Sequence, residues 1–297
     1  MKRISFGATS RDLLLIALLF TSYSCNFAQS VEKDLQSGLT TRGKGLSCTD
    51  VYLSDGENIL KRNAFIYGET FYVNFDGMDG FQRDGQHAFP DMRLLVIGER
   101  GDTAMYLTDL YAAYKDGIDF SPLKLYAEVT VADPMHSDGS YTLFVDVGDK
   151  RGDGTFKATL EFTVVRDEKI KIESNQLSYQ EIYLFSQQRN LSITNGRAGF
   201  DENIYLLFEG LDGFSVSNGQ VELGLSLVLT DANGNRILDE SDLFGGSAMS
   251  YEDVHAQVAP NFILTGSEIA NPVRCRVRIW DKSSEAWIRA STELVVE

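Results

Sequence analysis

The chain has 297 residues, 43% hydrophobic and 24% charged, a composition that fits roughly two folded domains and excludes a disordered protein. Its 43 Asp and Glu against 27 Lys and Arg give a formal charge of -16 at pH 7, which disfavours nucleic acid and anionic membrane surfaces as partners. Three His against 18 Phe and 13 Tyr argue against imidazole chemistry and for aromatic-rich strands.

At the N-terminus, Lys2, Arg3 and Arg11 flank the short apolar run Leu13–Phe20, and "TSYSC" follows. About 20 apolar residues are needed to cross a bilayer as a helix. This run is far shorter, so residues 1–24 read as a signal peptide. "SYSC" resembles the lipobox of bacterial lipoproteins, with Ser22 where those signals usually carry Leu. The resemblance implies lipid attachment at Cys25 and membrane contact only through that anchor. Cleavage after Ser24 or Ala28 would instead release a periplasmic or secreted protein. Residues 25–46 hold the attachment Cys followed by a polar stretch without periodicity, which reads as a flexible tether.

The remainder is one module written twice, over residues 47–166 and 167–297. "GETFYVNFDGMDGF" (Gly68–Phe81) aligns without a gap on "DENIYLLFEGLDGF" (Asp201–Phe214). "SYTLFVDVGDK" (Ser140–Lys150) aligns on "PVRCRVRIWDK" (Pro272–Lys282), and "FKATLEFTV" (Phe156–Val164) on "IRASTELVV" (Ile288–Val296). Within these blocks apolar residues recur at every second position, the pattern of strands with one buried face, and Gly/Asn/Asp turns separate them. The fold expected is all-β: two tandem immunoglobulin-like β-sandwich domains related by internal duplication. The architecture resembles the non-catalytic surface modules of secreted bacterial lipoproteins. "DLYAAYKDG" (Asp109–Gly117) is the one helix candidate after the signal peptide. Cys275 falls at a core position of a strand and is expected to be a buried free thiol.

Enzyme signatures are nearly absent: "SPLK" (Ser121–Lys124) fits a Ser-x-x-Lys motif but lacks its Ser-Asp-Asn and Lys-Thr-Gly companions, so no catalytic activity and no cofactor are expected. "DANGNRILDESD" (Asp231–Asp242) resembles a calcium loop through Asp231, Asn233, Asn235, Asp239 and Asp242. Arg236 stands where such a loop needs Gly, and an Asn-Gly hairpin turn explains the residues better, so no metal is expected. "RGD" occurs twice, at Arg100–Asp102 and Arg151–Asp153, in loops whose turn chemistry accounts for Gly and Asp. Asp79 and Asp212 recur in both copies and read as repeated Asx turns.

The second copy departs from the first in its last hairpin, "VRCRVRIWDKSSEAWIRA" (Val273–Ala290). Strand parity sends Val273, Cys275, Val277 and Ile279 to the core, and Arg274, Arg276, Arg278 and Trp280 to the opposite face. Trp287 and Arg289 join them from the partner strand. Two readings stay open: cross-strand stacking that shields an exposed sheet, or a platform for an acidic glycan or an acidic protein surface. The function expected is non-catalytic binding or scaffolding at the envelope or cell surface. The alternatives are a carbohydrate-binding module for polysaccharide capture and a subunit of an envelope complex or fibre.

Overall fold

The computed structural model describes residues 29–297; Cys25 and the signal segment lie outside them. The first copy contains β1 (Gln29–Lys33), β2 (Thr40–Lys44), β3 (Asp50–Ser54), β4 (Ile59–Leu60), β5 (Ala64–Ile66), β6 (Thr70–Asp76), β7 (His87–Ala88), β8 (Pro90–Gly98), β9 (Thr103–Leu107), β10 (Ile118–Asp119), β11 (Lys124–Thr130), β12 (Ser140–Asp149) and β13 (Thr155–Val165). The second contains β14 (Lys171–Asn175), β15 (Glu181–Ser186), β16 (Leu191–Ser192), β17 (Arg197–Ala198), β18 (Asn203–Glu209), β19 (Gln220–Thr230), β20 (Arg236–Glu240), β21 (Ala248–Ser250), helix α1 (Tyr251–Ala256), β22 (Asn261–Ile263), β23 (Val273–Asp281) and β24 (Trp287–Val296).

In the first copy one sheet runs β1-β2-β13-β12-β8-β9, with β5 parallel to β13, and the other runs β11-β6-β3-β4. In the second, β14-β24-β23-β19-β20, with β17 parallel to β24, is joined by β16-β15-β18-β22. Apart from β1, which has no counterpart in the second copy, these orders correspond strand for strand, down to the short parallel pairing. The fold is therefore an all-β immunoglobulin-like sandwich, written twice. Alternate residues of β6, β12, β18 and β23 are buried, as the period of two requires. The two cores differ in kind. Phe65 and Phe71 stack with ring centroids 3.9 Å apart and Phe162 meets them edge-on, whereas Ala198, Ile204 and Leu294 hold the corresponding places in the second copy.

Repeated polar residues build the frame. Asp79 and Asp212 each accept from the following Gly N–H, at 2.7 and 2.6 Å. Those glycines have φ of +95° and +97°, and a Cβ on them would lie 2.2 Å from the carbonyl oxygen of Gly45 and 2.4 Å from that of Gln176. Only Gly fits. Buried Asp149 and Asp281 accept from the backbone of Gln82 and Ser215, closing the same corner in each copy. Lys150 pairs with Asp109 and Lys282 with Asp242, again at matching positions.

Two expectations need correcting. The tether read over 25–46 is strand at 29–33 and 40–44, and β2 pairs with β13 along Thr40–Lys44. The strand hid from hydropathy because Thr41 and Gly43 are the residues that face inward, with Leu39 and Leu46 buried beyond its ends. Asp109–Gly117 forms turns, not a helix. The helix among the described residues is α1, a six-residue turn capped by Ser250, whose side chain accepts from the Asp253 N–H.

The copies meet end to end through two carboxylates, half-buried Glu209 and buried Glu181. Glu209 accepts from the hydroxyls of Tyr67 and Tyr183, at 3.0 and 2.7 Å, and those two rings pack edge to face. Glu181, 3% exposed, accepts from the Ser137 N–H and hydroxyl, both at 2.7 Å. Burial, then the neighbouring Glu209, raises the pKa of both tyrosines, so each stays a neutral donor.

Candidate functional site

The outer face of the larger sheet of the second copy carries the arginine–tryptophan ladder. Strand β23 alternates buried Val273, Cys275, Val277 and Ile279 with exposed Arg274, Arg276 and Arg278 and half-exposed Trp280. Antiparallel register places Arg274 opposite Glu293, Arg276 opposite Ser291, Arg278 opposite Arg289, and Trp280 opposite Trp287. All six residues singled out in the sequence thus share one surface. Cys275 behind them is fully buried, and burial pushes its thiol up to about 12, which makes it an inert core residue.

The guanidinium of Arg278 lies 5.6 Å from the ring centroids of both Trp280 and Trp287, and that of Arg289 lies 5.3 Å from Trp287. Such contacts fix the aromatic rings and hold the cations in place at a solvent-facing site. Trp280 lies over Gly224 on β19, where a Cβ would come within 2.1 Å of its ring atoms. The glycine allows the indole to lie against the sheet. In the first copy the corresponding pair is reversed in size, with Gly148 opposite Asp91.

Two arginines are matched with acids: Arg274 with Glu293 at 2.6 Å and Arg289 with Glu173 at 2.9 Å. Arg276 and Arg278 have no carboxylate partner among the described residues; their strand neighbours are Val228 and Ser291, and Ser226 and Arg289. Sequence reading missed the extension of this surface. At the Arg274 end it opens into a groove of about 740 Å3 lined by Lys169, Lys171, Arg274 and Ser291. Lys171 comes from β14, which sits beside β24 and is invisible to a reading of the last hairpin alone.

The calcium-like residues are not gathered in this way. Asp231 accepts from the Asn235 backbone and side-chain amides, Asp239 pairs with Arg236, and Asp242 pairs with Lys282. Asn233 lies in the tight turn that Asp231 closes. Arg151 of the second RGD stacks on Phe89 and pairs with Asp84. Among the described residues no three His, Cys, Asp or Glu side chains form a metal-binding group.

No family model matches this chain, and no curated protein matches it in sequence. Solved structures that match the chain include a DUF3823 family protein from Bacteroides ovatus, 11% identical with a TM-score of 0.21, matched over 75% of this chain and 97% of that one. Fibronectin(III)-like modules of Clostridium thermocellum CbhA are 11% identical with a TM-score of 0.19, over 79% of this chain and 89% of that one. A calcium-binding mutant of Bacteroides uniformis beta-glucuronidase 2 is 8% identical with a TM-score of 0.22, over 84% of this chain and 32% of that one. Similarities this low carry no functional information.

Proposed function

We propose that the protein is a non-catalytic binding or scaffold protein of the bacterial envelope, held by lipid on Cys25, that takes an acidic ligand on the arginine–tryptophan face of its second copy. One observation carries the reading. In a chain of charge -16, Arg276 and Arg278 stand exposed without a carboxylate. A surface ladder whose task is purely structural would draw on that surplus of acids, as Asp146 of the first copy draws on Arg93 and Lys157. Guanidinium groups on alternate residues of one strand are spaced about 7 Å apart and offer forked donors to carboxylate, sulfate or phosphate groups of a chain-like ligand. The ring faces of Trp280 and Trp287 suit the apolar side of a sugar ring, so an acidic glycan fits better than an acidic protein patch.

Affinity electrophoresis in gels containing polygalacturonate tests this. Native protein is expected to be retarded, less so as salt rises, because exposed charges are screened beyond about 8 Å at physiological ionic strength. Substituting Arg276→Ala with Arg278→Ala should remove the retardation while leaving the melting temperature unchanged. Retardation that survives the double substitution would place the acidic ligand elsewhere. Labelled palmitate should enter the wild-type protein in cells and not the Cys25→Ala variant.

A further inference from the structure

The two smaller sheets meet across the junction, and their outer faces form a second surface of different chemistry. In the first copy the cross-strand rows are Tyr52, Asn74 and Tyr126, then Ser54, Tyr72 and Glu128, then Thr70 and Thr130. Successive rows lie about 7 Å apart along the strands. The last row reaches a groove of about 390 Å3 whose far wall is Tyr183, Phe185 and Leu191 of the second copy. Beyond it Phe185 stands opposite Tyr205, and Tyr205 opposite Asn261. Tyr126 and Leu191 are exposed, and Tyr72, Phe185 and Tyr205 are half-exposed. Aromatic rings with hydroxyl and amide neighbours therefore run from one copy to the other.

Contacts within the chain build the groove. Glu209 ties Tyr67 to Tyr183 across it, and Gly68 packs so close to Ser192 that a Cβ there would lie 2.2 Å from the hydroxyl oxygen. Its cations are already neutralised. Arg189 binds Glu202 through two nitrogens and also donates to the Arg197 carbonyl, while Lys124 pairs with Asp76. Glu128 stands at the rim and opposes an anion. What remains for a ligand is ring faces and the spare hydrogen-bonding capacity of Thr70 and Thr130, bonded to each other at 2.9 Å, and of Asn74 and Asn261, whose Nδ2 groups donate to Ser54 Oγ and Asn203 Oδ1. This set suits an uncharged, hydroxyl-rich chain; peptide side chains call for more enclosed apolar pockets.

We propose that the junction groove and the tyrosine face leading into it bind a neutral polysaccharide, independently of the arginine–tryptophan face. The test is electrophoresis of the full-length protein in native gels containing mannan, xyloglucan, laminarin or amylopectin. Retardation by at least one is expected, and Tyr126→Ala with Phe185→Ala should weaken it at least tenfold. Thr130→Arg, at an exposed position of β11, should block the groove to the same extent without touching the core, and so covers the case in which the aromatic variant fails to fold. Tyr106→Ala, which removes an exposed ring on β9 outside both surfaces, should change nothing. Failure of all four polysaccharides to retard the protein, or retardation indifferent to Thr130→Arg, would overturn the proposal.

Discussion

Position 146 of the first copy and position 278 of the second occupy the same place in the same sheet, yet carry opposite charges. Asp146 sits between Arg93 and Lys157, a carboxylate satisfied by two cations; burial raises its pKa, and the hydrogen bonds from Lys157 and Arg93 more than reverse that. Arg278 sits between Ser226 and Arg289, with two indoles against it and no acid. The first arrangement is complete within the chain. The second leaves Arg278 without a carboxylate from the chain. The residues that the copies share hold up the fold, and those that differ mark the face on which the proposed ligand would bind.

The comparison is broken most forcefully at a shared position. Gly80→Val and Gly213→Val should each cost about 3 kcal/mol or more, since both add a strained φ and a clash with a carbonyl oxygen. Thermal denaturation of the two variants checks this; a large loss in one copy alone would show that the turns are not equivalent.

Next in size comes acid. Burial pushes the Asp281 carboxyl up, but the N–H groups of Ser215 and Ser283 and the Ser284 hydroxyl outweigh it and leave its pKa lowered. Asp242 is held down first by Lys282, and Glu202, despite burial, by Ser186, Gly199 and Arg189. A carboxylate with a depressed pKa in the folded state stabilises above its unfolded pKa and loses that contribution as pH falls through the folded value. The melting temperature should therefore hold level from pH 7 to 5 and drop below about pH 4. Asp281→Asn should lower stability at pH 7 by about 1–3 kcal/mol and flatten part of the acid limb.

The smallest effect belongs to the specialised face. Arg278→Asp, which restores the first copy's residue, should alter stability by no more than about 0.5 kcal/mol, because exposed charges contribute little. It should nevertheless abolish retardation by polygalacturonate. A marked loss of stability would favour a shielding role for the ladder.

Much of this is legible in the amino-acid sequence. Period-two alternation in blocks such as Gly68–Phe81 marks the strands, and duplication marks the architecture, because most inward positions in one copy have an apolar counterpart in the other, Leu160 against Thr292 being an exception. Parity alone put Arg274, Arg276, Arg278 and Trp280 on one face. Strand β2 escaped because its inward residues, Thr41 and Gly43, are small instead of apolar. The lysines beside the ladder and the whole junction groove escaped for another reason: Lys171 and Arg274, or Thr130 and Phe185, come together only through pairing of distant strands and docking of the copies.

Tryptophan fluorescence of the native protein, titrated with polygalacturonate in the presence of acrylamide, tests the central claim most directly, since Trp280 and Trp287 are the only tryptophans in the chain. The account predicts that half-exposed indoles are quenched by acrylamide alone, that the polyanion protects them and shifts their emission, and that salt reverses both effects. Emission and quenching unchanged at saturating polyanion would contradict it.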